Sequence, residues 1–135
     1  MVCKGSFLYC FFQYTYWSED WLYSLPPMGG DPEQVTVSGF SGGAYMATNM
    51  HVIYSSLIKG AGLIAGGPYG PSSGHYDSGD RTESSIEAAD RLAEHGYIDP
   101  TVNLAGAPVF ILTGWLDPIV PKSEQDAVLG FYEHY

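Results

Sequence analysis

Ser41 lies in the string Gly39-Phe40-Ser41-Gly42-Gly43, between the β-branched run Val35-Thr36-Val37 and a stretch of small residues that opens a helix. A G-x-S-x-G string in that setting is a nucleophile elbow, a sharp strand-to-helix corner where bulkier neighbours would collide with the crossing backbone. The corner lifts the serine hydroxyl clear of the sheet. The amide of the next residue, Gly42, then points to where an oxyanion would form, and the following helix aims its positive end at the same spot. The chemistry this suggests is acyl transfer through a serine nucleophile. The plain alternative is a glycine-rich turn whose serine only caps the helix.

A serine hydroxyl is a weak nucleophile at neutral pH and needs a histidine to take its proton and a carboxylate to orient that histidine. Asp117 is the best acid: it lies in Gly114-Trp115-Leu116-Asp117-Pro118, just past the apolar run Val109-Phe110-Ile111-Leu112-Thr113, and follows Ser41 in the expected order. As an isolated Asp-Pro turn it would be structural. The base is harder to assign. His51 is ten residues down the helix that starts at Ser41, roughly 15 Å away at the helical rise, and reads as a packed helix residue. His134 sits near the far end of the last helix, and His95 closes a helix where an imidazolium suits the dipole. His75 lies in a loop leaving the functional edge, yet it precedes Asp117. The spacing His75-x-Asp77-x-x-Asp80 is that of a solvated loop, so no metal is expected, and no cofactor either.

These groups need a parallel sheet to hold them. Strands are expected at Val35–Ser38, Ala61–Ala65 and Val109–Thr113, and helices at Ala44–Ser56, Arg81–His95 and roughly Ser123–Tyr135. In the first helix Ala44, Ala47, Met50 or His51, and Tyr54 recur at helical spacing; in the second Ile86, Ala89, Leu92 and Ala93 face inward, with Gly96 as the stop. The second strand is apolar on both faces, as in a parallel sheet covered by helices. Alternating strands and helices imply an α/β fold with right-handed crossovers and functional groups beyond the carboxyl ends of the strands. Tyr69, Tyr76 and Trp115 fall near those ends, where they would line an apolar ester pocket or simply pack.

With 135 residues the chain is long enough for one domain, and its 45% apolar content is ordinary for a globular one. Fifteen acidic residues against five basic ones leave a net charge of −10, which disfavours nucleic acid phosphates and anionic membranes as partners and accommodates a neutral substrate. Residues 1–25 form an aromatic segment with no clear period, set off by the turn-rich Pro26-Pro27-Met28-Gly29-Gly30-Asp31-Pro32 from a domain spanning 26–135. Lys4 and the apolar run to Phe12 have the look of a signal peptide without a small-x-small cleavage site, and the run is too short to span a bilayer. Cys3 and Cys10 define neither a disulfide framework nor a metal pattern.

Taken in order, Val35–Ala47, His51–Ser55, Gly60-Ala61-Gly62, Ala65–Tyr69, Ile98-Asp99-Pro100, Asn103–Gly106 and Val109–Val120 resemble the extracellular poly(3-hydroxybutyrate) depolymerases of the α/β-hydrolase superfamily. The resemblance covers about residues 25 to 135. It implies Ser41 as the acylated nucleophile, Asp117 as the triad acid, Gly42 as an oxyanion-hole amide, a small ester or polyester as substrate and an extracellular location. The arrangement is most similar to the circularly permuted members, in which the elbow comes early. In that family the triad histidine follows a further strand, in a His-x-Phe-Pro-Thr-like loop with no equivalent here, and the first 25 residues match nothing in it. The expectation is therefore a partial α/β-hydrolase domain, a segment of a depolymerase-like serine esterase, with oligomeric state left open. A feruloyl or acetyl esterase, a peptidase, or a non-catalytic remnant of the same scaffold are the alternatives.

Overall fold

The structure, a computed structural model, describes residues 29–70 and 81–135. The aromatic segment with its cysteines, and His75, Tyr76, Asp77 and Asp80, lie outside the described residues. The chain divides into two units, Met1–Gly30 and Asp31–Tyr135, and the sheet with its helices belongs to the second.

Six main elements alternate: β1 (Val35–Phe40), α1 (Gly42–Ile53), β2 (Ile58–Ile64), α2 (Arg81–Glu94), β3 (Val109–Leu112) and α3 (Lys122–His134). A short 3-10 turn at Pro32–Gln34 leads into β1, capped by the Asp31 carboxylate on the Glu33 amide. The strands are parallel in the order β1-β2-β3, with Val37 opposite Ala61 and Leu63 opposite Ile111. β2 begins at Ile58, three residues earlier than expected, because the chain turns out of α1 at Tyr54 and Ile58 and Gly60 pair with β1, with Lys59 as the extra residue between them.

The periodicity of α1 is carried by Ala44, Ala47, Thr48, His51 and Val52, all buried. Met50 and Tyr54, expected on that stripe, are exposed, so His51 is the residue that turns inward. In α2, Ile86 and Ala89 are buried and Leu92 packs beside them. That helix stops as expected: Gly96 takes φ +72°, the Tyr97 amide bonds back to the Leu92 carbonyl and the Gly96 amide to that of Ala93. This double bond closes the last turn, and a left-handed residue there favours glycine.

A strand order that advances in one direction through right-handed crossovers puts the connecting helices on one side of the sheet. Ala44 and Ala47 of α1 and Val128 of α3 accordingly form one core cluster with Ala61 and Leu63 of β2, flanked by Val37, Val109 and Ile111. A second cluster joins Val52, Tyr69, Ile86, Ala89, Leu104 and Phe131, layering α2 over α1 and α3. On the opposite side of the sheet Phe40, Ile64, Phe110 and Leu112 are exposed. The expected parallel sheet with flanking helices is present, and among the described residues those helices lie on one face.

Candidate active site

Ser41 stands at the exit of β1 with φ +54° and ψ −124°, a backbone conformation that costs an L-residue strain and that persists only where the surroundings enforce it. Three observations identify the enforcement. The Ser41 amide donates to the Ile64 carbonyl at 2.9 Å, tying the corner to the end of β2. The Ser41 carbonyl accepts from the Ala44 amide at 2.8 Å and the Tyr45 amide at 3.2 Å, starting α1. Gly39 lets the helix cross behind the strand: a Cβ there would lie 2.1 Å from the Gly43 oxygen. The Ser41 side chain makes no capping bond to the helix, which removes the helix-cap alternative. Gly42, the first residue of α1, presents its amide beside the hydroxyl at a helix end where amides have no intrahelical acceptor.

The serine opens into a cleft of about 730 Å³ lined by Tyr45, Met46 and Asn49 of α1, Tyr69, residues of α2, and Ile119 and Val120. Tyr45 and Asn49 follow Ser41 at four-residue spacing, a helical signal that sequence reasoning left unused. The bed beneath is tight. A Cβ on Gly66 would meet that of Ala44 at 2.6 Å and one on Gly67 would meet the Tyr45 ring at 2.1 Å. Thr48 Oγ1 donates to the Gly67 carbonyl at 3.0 Å and Gln125 Nε2 to that of Gly66 at 2.6 Å. The buried Glu124 accepts from the Tyr45 hydroxyl at 3.1 Å and pairs with Arg81 at 2.5 Å, linking the starts of α1, α2 and α3. Among the expected pocket aromatics, Tyr69 is buried against Phe131 and lines the cleft, whereas Trp115 is 83% exposed beneath the Lys122 ammonium.

Asp117 follows β3. Its Oδ1 accepts from the amides of Val120 at 3.0 Å and Ile119 at 2.9 Å. These two bonds, that of Val120 foremost, hold the carboxyl below its ordinary range and keep it ionised at neutral pH. Because Ile119 and Val120 also wall the cleft, the acid is fixed by the residues that face the serine. Ser41 and Asp117 leave the outer strands on either side of β2 at the same sheet edge. Ser41 directly follows β1, whereas Asp117 lies five residues past the end of β3.

Three comparisons bear on this arrangement. A poly(3-hydroxybutyrate) depolymerase from Delftia acidovorans is 34% identical over 123 residues, 83% of this chain and 25% of that protein. A polyhydroxybutyrate depolymerase from Talaromyces funiculosus is 43% identical over 54 residues, 39% of this chain and 16% of that protein. Among solved structures, a PHB depolymerase in a serine-to-alanine form complexed with R3HB trimer superposes with a TM-score of 0.68 at 26% identity, over 83% of this chain and 37% of that one. Over 83% of its length this chain is thus homologous to proteins named poly(3-hydroxybutyrate) depolymerase. Its three-stranded parallel sheet with flanking helices is of the α/β-hydrolase type seen in the solved depolymerases. No family model matches the chain.

The chain spans about a quarter of the Delftia relative's length. Its described histidines are all engaged away from the cleft. His51 is buried, shares a 3.0 Å hydrogen bond through Nδ1 with the Tyr132 hydroxyl and stacks on that ring. His95 donates through Nδ1 to the Arg91 carbonyl at 2.7 Å and stacks on Tyr97, and His134 packs edge-on against Tyr135 at the end of α3. None of the three lines the serine cleft.

Proposed function

We propose that this chain carries the nucleophile and the acid of a serine carboxylester hydrolase acting on 3-hydroxybutyrate esters or their polymer. The carrying observation is the strained, uncapped Ser41 at a strand-to-helix corner, with an ionised carboxylate in the loop that follows β3. In this reading Ser41 Oγ attacks the ester carbonyl, and the Gly42 amide and the start of α1 stabilise the oxyanion. The alcohol leaves with a proton from the base, and water then releases the acid from the acyl-serine. Asp117 orients the base and stabilises its imidazolium. The base comes from outside the described residues. The family relationship supports the substrate class, and an extracellular location accompanies it.

One observation favours a second reading, a non-catalytic remnant: each described histidine is committed elsewhere. A fluorophosphonate probe, applied with and without added imidazole, separates the two. The hydrolase reading expects labelling that Ser41→Ala abolishes. Folded protein that takes no label under either condition overturns it.

A further inference from the structure

The serine cleft contains one charged side chain among its described lining residues, Arg91 of α2. The rest of the wall is apolar or neutral: Met46, Tyr69, Leu92, Ile119 and Val120, with Asn49 as the main polar group. Asn49 is already occupied, donating to the Tyr45 carbonyl at 2.8 Å and accepting from the Gly70 amide at 3.2 Å. The other described cations are also occupied: Arg81 with Glu124, Lys122 with Asp126, and Lys59 with the Ser56 carbonyl. Arg91 makes no ion pair among the described residues, even though the molecule carries 15 acidic groups against five basic ones. A guanidinium left for solvent and cleft, in so acidic a chain, is a recognition group for an anion that enters with the ligand.

We infer that Arg91 binds the terminal carboxylate of a short hydroxyacid ester oligomer, so that the cleft reads the acid end of a chain while Ser41 faces an ester bond further along it. This rests on the hydrolase reading and adds the polarity and length of the preferred ligand. An oligomer of hydroxyacids is apolar and uncharged along its length and carries one carboxylate at its end, the same distribution as a neutral wall with one cation. The net charge of −10 repels such an anion, and Arg91 supplies the local cation that offsets it. The residue is therefore a specificity determinant for chain ends and short products. The esters inside a long polymer have no charge for it to hold.

The test uses the full chain with Ser41→Ala to prevent turnover, titrated calorimetrically with a 3-hydroxybutyrate trimer as free acid and as its methyl ester. At low salt the acid should bind about three- to five-fold tighter than the ester, the range of a solvent-accessible ion pair, and the preference should shrink in 0.5 M salt. Arg91→Gln should reverse the order, with ester affinity little changed, and Arg91→Lys should restore part of the acid preference. An acid-to-ester ratio unaltered by Arg91→Gln overturns the carboxylate assignment while leaving the hydrolase reading intact. Absence of binding by both trimers to folded protein overturns the assignment and the substrate class together, and fluorophosphonate labelling of the unsubstituted chain then shows whether the activated serine survives.

Discussion

Ser41 is held in a conformation it would not choose, and the residue that enforces it is Gly39 rather than either glycine that follows. A Cβ on Gly39 would strike the Gly43 backbone, whereas one on Gly42 meets nothing within 4 Å. Gly39→Ala should cost about 3 kcal/mol in urea unfolding through overpacking against backbone that cannot yield. Gly42→Ala, at a helix start, should stay within about 1 kcal/mol of the parent. Asp117 gives a second residue-level test. Its folded pKa is depressed by the Val120 and Ile119 amides, so its contribution to stability is present above the unfolded carboxyl value of about 3.9 and is lost as pH falls through the folded one. Asp117→Asn should flatten that acid limb in melting temperature measured against pH, with little change at pH 7 in loop geometry.

Elements matter because α1 serves two masters: its first turn presents the strained Ser41 corner, and its last turns carry a buried histidine. Burial disfavours the charged imidazole and holds His51 below its usual pKa, while its hydroxyl partner Tyr132 is pushed up by the same burial and stays protonated. The sign is opposite to that of a stabilised imidazolium. With the folded value below the unfolded one of about 6.5, the unfolded chain binds the extra proton, and stability falls as pH drops below that point. Far-UV melting between pH 7.5 and 5 should show this decline, and His51→Gln should remove much of it. The helical pattern at Ala44, Ala47 and His51 was visible in the sequence, but the choice between Met50 and His51 was not. Both fit the period, and only the position of α3 and its Tyr132 decided which one turned inward.

At the scale of the whole molecule, the sequential strand order leaves one sheet face uncovered among the described residues. Phe40 and Phe110 are 70% and 61% exposed; Phe40, Ile64 and Leu112 form one row across the register, and Phe110 stands two residues before Leu112 on the same face. A continuous apolar face of this kind drives association. Phe110→Glu combined with Leu112→Lys should preserve helix content while lowering 8-anilinonaphthalene-1-sulfonate fluorescence about two-fold or more, together with self-association in sedimentation. Unchanged dye binding would mean that the face is covered in solution.

The chain alone determined those features whose cause is local. Period and turn chemistry marked the six elements, the elbow string marked Ser41, and a loop between a buried strand and a helix marked Asp117. Strand ends shifted by up to three residues, as at Ile58, where pairing to β1 outweighed the break signalled by Lys59-Gly60. The tertiary structure decided whatever depends on distant segments meeting: the Glu124 tie to Tyr45 and Arg81, the bed of Gly66 and Gly67 under α1, and the entry of Arg91 into the serine cleft. Those residues lie from about 20 to about 80 positions apart. No local propensity encodes such a meeting, because only the order and handedness of the crossovers bring their side chains to one edge of the sheet.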